Sequence, residues 1–348
     1  MAEFVETDRE GEPDDRDQDA EEVEQRCFHP ERVRYVRCGV TALGGRVAGA
    51  VIIGAGLVAK NVAKLLVEQG ERVTVATRSG SDLPGTTSVR VDASDETALT
   101  AATRSAKTIF LCTNPPYYSW TTAWPPVFAA VIGAARASGA DLVAMGNLYS
   151  YGQASMPMAE RSPEITTETK GLVRKAGWAA MREASERGEI RAVEVRASDY
   201  FGPGAGYTAH LGERFFVPLL AGKRVGVVGD PAAIHSWAYL PDIAATLVAA
   251  SRYGGEWGRI WHVPAAADLS RKEIAEQVAS GGRVYGYPQW LLRSLGPFDR
   301  TMREVYASSY QFTAPFVSSS TETEAALGVR AKPWDGALAT TLGSYRRD

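Results

Sequence analysis

Residues 48 to 80, AGAVIIGAGLVAKNVAKLLVEQGERVTVATRSG, constrain the fold more than any other stretch. Val51-Ile52-Ile53 is a short apolar run of β-branched residues, suited to a strand buried on both faces. Gly54-Ala55-Gly56 follows, and then Val58, Val62, Leu65 and Leu66 recur at helical spacing. Gly70 stands where a left-handed residue would close that helix, and Arg72 to Ala76 reads as a second strand. The stretch is a β-α-β unit. Gly54 permits the tight turn. Gly56 lets a pyrophosphate approach the helix N-terminus, which Leu57 and Val58 open, and Ala59 takes the third small position. A glycine pattern placed between a strand and a helix signals a dinucleotide site; a glycine turn without a ligand is the competing reading.

The end of the second strand bears on which dinucleotide. An acidic residue about twenty positions after the glycines would accept the ribose hydroxyls of NAD. Here the strand ends Thr77-Arg78-Ser79, with no carboxylate before Asp82. Arg78 can fork onto a 2′-phosphate and Ser79 can donate to it, which favours NADPH over NADH. A solvent-facing arginine is the alternative.

Strand-like runs continue at 88–91, 108–112, 141–145 and 191–196, with helical patterns over 95–105, 126–138 and 170–187. Such alternation predicts an α/β fold, a doubly wound parallel sheet with right-handed crossovers. Ligands bind outside the carboxyl ends of such strands, so the loops 113–124, 146–152 and 197–207 are expected to carry the site. The expected division is a dinucleotide domain over 48–200 plus 236–264 and a smaller, mostly helical substrate cap over 201–235 plus 265–348. Residues 26–47 read as an arm or an added strand. Residues 1–24 hold twelve acidic side chains and two arginines, which predicts a disordered acidic tail over 1–25.

Composition excludes several classes. No apolar run approaches a membrane span, and no basic stretch precedes an apolar one at the N-terminus. Three cysteines without metal-like spacing read as reduced thiols in a cytoplasmic protein, with no metal site. The body's arginines are scattered rather than striped, which argues against nucleic acid. Oligomeric state is not readable.

The glycine loop, VDASD at 91–95, SYG at 150–152, RASDYFGPG at 196–204 and SWAYLPDIAATLV at 236–248 form a set. Together they resemble the extended short-chain dehydrogenase/reductase superfamily, also described as NAD-dependent epimerase/dehydratases, over about residues 48 to 265. The resemblance implies a Rossmann domain in which Asp92 faces the adenine and Ser198, or the backbone near Tyr200, faces the nicotinamide end. Thr113 and Asn114, opening the loop after the fourth strand, join the cofactor set. It also implies a catalytic Ser/Thr, Tyr and Lys, and here the chain departs. Asn147 stands at the Ser/Thr position, and Thr166 stands four residues before Lys170, where the tyrosine belongs. Lys170 remains as the expected ribose ligand, with Lys175 the competing assignment. NPPYYSW and GNLYSYG make the chain similar to actinobacterial ketoreductases that modify aromatic polyketides of the angucyclinone type.

Without the tyrosine, the protein must still manage the charge on a carbonyl oxygen as hydride arrives. The Asn147 amide can donate a hydrogen bond. Tyr149, two residues on, points the same way if the segment is extended, and Tyr117, Tyr118, Tyr151 and Tyr200 also lie in the expected site loops. A phenol beside the ketone on the substrate itself is a second proton source. His235 and His262 are more often structural than catalytic. The segment TNPPYYSWTTAWPP is dense in aromatics and prolines. Tyr117, Tyr118 and Trp120, joined by Tyr200 and Tyr207, would form a flat apolar wall for a planar aromatic polyketide. VYGYPQWLL, Phe298, Tyr306, Tyr310 and Phe312 read equally as cap core or ligand wall. The expected activity is NADPH-dependent ketoreduction. A transient-oxidation isomerase or epimerase and a non-catalytic NADP sensor are the rivals.

Overall fold

Strand β1 (Gly49–Ile53) is buried on both faces: Ala50 and Ile52 enter one core, Val51 and Ile53 the other. A parallel strand covered by helices requires this double burial. The computed structural model describes residues 49–153, 156–288, 290, 293–294 and 299–346. The expected acidic tail, the arm over 26–47 and Phe298 lie outside the described residues.

Six further strands extend the sheet: β2 (Val73–Thr77), β3 (Thr87–Arg90), β4 (Ala106–Leu111), β5 (Asp141–Asn147), β6 (Ala192–Ala197) and β10 (Arg259–His262). They pair in the order β10-β6-β5-β4-β1-β2-β3, every pair parallel. Helices α1 (Leu57–Glu68) and α6 (Leu240–Ser251) close one face; α2 (Glu96–Thr103), α3 (Trp120–Ser138) and α4 (Thr169–Glu186) close the other. This is the doubly wound arrangement expected, and its order reverses between β1 and β4, where the strand ends open a crevice.

A third core lies beyond that crevice. It draws on α5 (Glu213–Leu220), α7 (Arg271–Val278) and α10 (Trp334–Tyr345), with Phe201 of β7 (Tyr200–Phe201), Trp237 of β9 (Ile234–Tyr239) and Phe312. β7, β9 and β11 (Ala265–Ser270) form a small sheet, and β8 (Val225–Val228) pairs with β12 (Val284–Tyr287). Two shorter helices, α8 (Arg300–Ser308) and α9 (Thr321–Leu327), lead the chain back toward the main sheet.

One boundary differs from expectation. α3 starts at Trp120, so the loop expected to run to 124 is shorter, and Pro125 and Pro126 sit inside the helix. Burial of Trp120 and Trp124 in the second core outweighs the lost backbone bonds. The prolines lie on the exposed face, where the freed carbonyls of exposed Thr121 and Thr122 can meet water. Among the described residues no helix is long and apolar enough to cross a membrane.

Candidate active site

The glycine turn adopts the geometry a dinucleotide requires. Gly54 has φ +111°, and a Cβ there would stand 2.9 Å from the Thr113 nitrogen, so only glycine fits between β1 and β4. Gly56 caps α1 without any side-chain hydrogen bond, and a Cβ on it would meet nothing within 4 Å. The first turn of α1 therefore presents backbone N–H groups to open space, which suits an anionic pyrophosphate. Leu57, Val58, Thr113, Asn114 and Ser198 line the same cavity, of about 220 Å³. Arg78 and Ser79 lie exposed just past β2. Asp92 follows β3; its carboxylate accepts from the Ser94 hydroxyl at 2.7 Å and backbone N–H at 2.9 Å. Those bonds, with the charge of Arg78, hold its pKa below the ordinary carboxylate value despite some burial.

At the other end of the cavity, Asn147 accepts the Tyr149 backbone N–H on its Oδ1 at 3.1 Å, which leaves its NH₂ to donate. Both side chains reach the cavity, though by a 3₁₀ turn over Leu148–Tyr151 rather than by extended alternation. The hydroxyls of Tyr149 and Tyr117 share a hydrogen bond of 3.0 Å, and the Tyr149 ring stacks on Trp120. Burial pushes the Tyr149 phenol well above its ordinary pKa, so it stays neutral. Of the expected substrate residues, Tyr117, Trp120 and Tyr200 line the cavity. Tyr118 and Tyr207 lie outside it, 55% and 69% exposed, because their loop positions turn them to solvent.

Lys170 is not at the cavity either. Its ammonium, in a side chain 1% exposed, donates to Glu304 Oε2 at 2.9 Å and to the Glu304 carbonyl at 3.1 Å, with Glu168 at 3.3 Å. Two carboxylates neutralise it, and its nitrogen lies 5.4 Å from the Tyr117 ring centroid. Lys175 donates to the Glu164 carbonyl and does not line the cavity. The residue that does is Arg174, four positions after Lys170. Lys170 and Arg174 thus occupy the four-residue spacing at which a tyrosine and a lysine were sought. Starting from Lys170 as the second member of the pair hid Arg174. Its guanidinium bonds the Met145 carbonyl at 2.5 Å and Glu194 at 3.0 Å, and lies 4.7 Å from the Trp124 ring centroid. Glu194 also holds Arg196 at 2.7 Å, and Arg196 reaches Glu164.

Asp199, Gln311 and Phe316 also line the cavity and were not anticipated. Asp199 Oδ2 stands 2.9 Å from His235 Nε2, and His235 Nδ1 stands 3.2 Å from the Gln311 carbonyl. Phe312 and Phe316 stack on the two sides of that imidazole. His262 is fully buried between the Tyr151 hydroxyl and the Ser319 carbonyl. Among the described residues no cluster of His, Cys, Asp and Glu is placed to hold a metal.

The sequence model of the NAD dependent epimerase/dehydratase family matches residues 50–263. The chain belongs to that family. Solved structures share the fold. MoeE5, in complex with UDP-glucose and NAD, is 16% identical with a TM-score of 0.71, covering 86% of this chain and 99% of its own. The UDP-glucose 4-epimerase of Thermotoga maritima, with UDP-glucose, is 13% identical with a TM-score of 0.70, covering 86% and 99%. A double mutant of the dTDP-glucose 4,6-dehydratase DesIV from Streptomyces venezuelae, with NAD, is 17% identical with a TM-score of 0.67, covering 86% and 97%. No curated protein sequence matches the chain. Membership of the epimerase/dehydratase family implies an NAD-dependent enzyme, and the geometry of the glycine turn fits a nicotinamide dinucleotide.

Proposed function

We propose that this chain is an NADPH-dependent ketoreductase acting on a planar aromatic ketone of the angucyclinone type. The observation that carries the reading is one cavity joining the uncapped start of α1 to a hydroxyl pair, Tyr117 and Tyr149, beside the aromatic surfaces of Trp120 and Phe316. The nicotinamide, when bound, supplies the hydride. The first turn of α1 would hold the pyrophosphate, and Arg78 with Ser79 would take the 2′-phosphate. The Asn147 NH₂ and the Tyr149 hydroxyl donate to the carbonyl oxygen. Arg174, fixed by Glu194, places a guanidinium in the same wall, favouring negative charge on that oxygen. The tyrosines are neutral donors, with no free lysine to ease loss of their protons, because Lys170 is paired with Glu304 and Glu168. A phenol next to the ketone on the substrate is one proton source compatible with this arrangement.

A second reading follows from the solved structures of similar fold, which include proteins in complex with UDP-glucose and a dTDP-glucose 4,6-dehydratase. An epimerase or dehydratase of a nucleotide sugar oxidises and re-reduces its substrate without net cofactor use. One experiment separates the two. The chain is mixed with NADPH and a peri-hydroxylated aromatic ketone, or separately with NAD+ and UDP-glucose, while nicotinamide absorbance and product mass are followed. NADPH oxidation matched by an alcohol product two mass units heavier than the ketone supports ketoreduction. Conversion of the sugar with NAD+ and no net change in nicotinamide absorbance, with no reduction of the ketone, overturns it.

A further inference from the structure

Both nitrogens of the His235 ring face acceptors. Nδ1 stands 3.2 Å from the Gln311 carbonyl, which can only accept, so Nδ1 carries a proton. Nε2 stands 2.9 Å from Asp199 Oδ2, and an ionised carboxylate can only accept as well. A neutral ring has one N–H, which cannot serve both. The contact with Asp199 therefore needs a second proton, on Nε2 or on the carboxyl. The ring is 1% exposed and stacks on Phe312 and Phe316, within 20° of parallel to each. Ser198 Oγ, 3.3 Å from Nε2, adds a weaker contact on the same side. Asp199, in turn, lines the cavity with Tyr149 and Asn147.

We infer that the Asp199–His235 pair stores one proton at the cavity wall and delivers it to the alkoxide that forms when hydride reaches a bound ketone. This rests on the ketoreductase reading. As the new C–H bond forms, the π electrons of the carbonyl pass to oxygen. That oxygen takes the proton of the pair through Asp199, and His235 with Asp199 is left holding the Nδ1 proton alone. Water then restores the missing proton. The charged and titratable groups that face Asp199 are His210, Arg271 and the phenols of Tyr117, Tyr149, Tyr200 and Tyr310. Against its burial, the His235 bond and then His210 and Arg271 support the carboxylate; burial pushes His210 down to about 4, so it is neutral, and the phenols are neutral too, so none competes for the stored proton.

Two measurements test it. The chain has four histidines, so ¹⁵N-histidine labelling of the full-length protein gives a simple spectrum. Near neutral pH, His235 is expected to show a protonated Nδ1 together with a low-field proton bridging Nε2 and Asp199, and Asp199→Asn is expected to abolish that low-field proton. A ring with a single proton in the wild type overturns the inference, whatever the substrate proves to be. The second measurement is turnover of α-tetralone and of its peri-hydroxylated analogue with NADPH. Asp199→Asn is expected to lower kcat for α-tetralone by about a hundredfold or more, the range of a general acid, with the NADPH dissociation constant unchanged. His235→Gln should lose a similar factor. Equal kcat in wild type and both variants overturns delivery. Absence of turnover in the wild type overturns delivery together with the ketoreductase reading, while the spectrum still decides whether the proton is stored.

Discussion

At the scale of single residues, the candidate site gathers neutral polar donors, Asn147, Tyr117 and Tyr149, around one cavity. Tyr149 offers a hydroxyl that burial keeps protonated, hydrogen-bonded to Tyr117. On the ketoreductase reading its hydroxyl would give a hydrogen bond that strengthens as charge grows on the carbonyl oxygen, and such donors are worth about 10²–10³ in kcat. Tyr149→Phe is expected to lower kcat within that range for α-tetralone without weakening NADPH. A loss below about threefold would give the role to Asn147 instead. Arg78 sits exposed past β2, and a charge-assisted bond from it to a phosphate is worth about 1.5–3 kcal/mol. Arg78→Ala should therefore raise the KM for NADPH at least tenfold and leave that for NADH nearly unchanged; equal effects on both would remove the 2′-phosphate assignment. Asn147 and Tyr149 were legible in the sequence because the motif around 147–152 places them at the end of a strand. Arg174 was not, since a search for a tyrosine followed by a lysine passes over a lysine followed by an arginine. Asp199 lay inside a quoted motif, but its role depends on His235 and Gln311, which arrive from distant parts of the chain.

At the scale of elements, α3 and α4 are pressed together and tied to the sheet by buried charge. A Cβ on Gly177 of α4 would fall 2.1 Å from the Phe128 ring of α3, so the two helices meet closer than any side chain there allows. Below them Glu194 of β6 holds both Arg174 and Arg196, all three nearly fully buried. Breaking a buried ion pair from one side leaves uncompensated charge and costs about 3–5 kcal/mol. Glu194→Ala strands two guanidiniums, so its denaturant midpoint should fall by at least the equivalent of that cost. The double change Glu194→Ala with Arg174→Met should recover part of the loss. An unchanged midpoint in the single variant would mean water reaches the network. The strands and helices themselves were largely legible, because β1, α1 and β2 carry their own apolar periodicity and turn residues. The start of α3 was misplaced because prolines outweigh tryptophans in local propensity, while in the fold the buried tryptophans decide.

At the scale of the whole molecule, the last stretch of chain returns to clamp the sheet ends. Glu304 holds Lys170, the Gln311 carbonyl faces His235, and Ser319 with Thr323 meets His262 and Glu160. No periodicity announces such long-range contacts, so this half of the site was not readable in advance. The clamp has a consequence for acid stability. His262 is fully buried, with Nδ1–H donating to the Ser319 carbonyl at 2.8 Å and Nε2 accepting from the Tyr151 hydroxyl at 2.7 Å, an arrangement that uses the neutral ring. Burial, helped by the charge of Arg196, pushes its pKa down to about 3, against the pull of the Ser319 bond. The folded pKa lies below the value of about 6.5 in an unfolded chain, so the unfolded state binds the proton first as pH falls. Stability is therefore intact above about pH 6.5 and is lost progressively below it, by roughly 2–3 kcal/mol at about pH 4.5 from this residue. Carboxylates held low, such as Asp92, take effect only further down, below their ordinary range near 3.8. Urea midpoints measured between about pH 7 and pH 4.5 should fall steadily in the wild type and stay flatter in His262→Gln, which can keep a donor and an acceptor but cannot titrate. Parallel slopes in the two proteins would show that protonation of other groups, and not the clamp around His262, governs the response to acid.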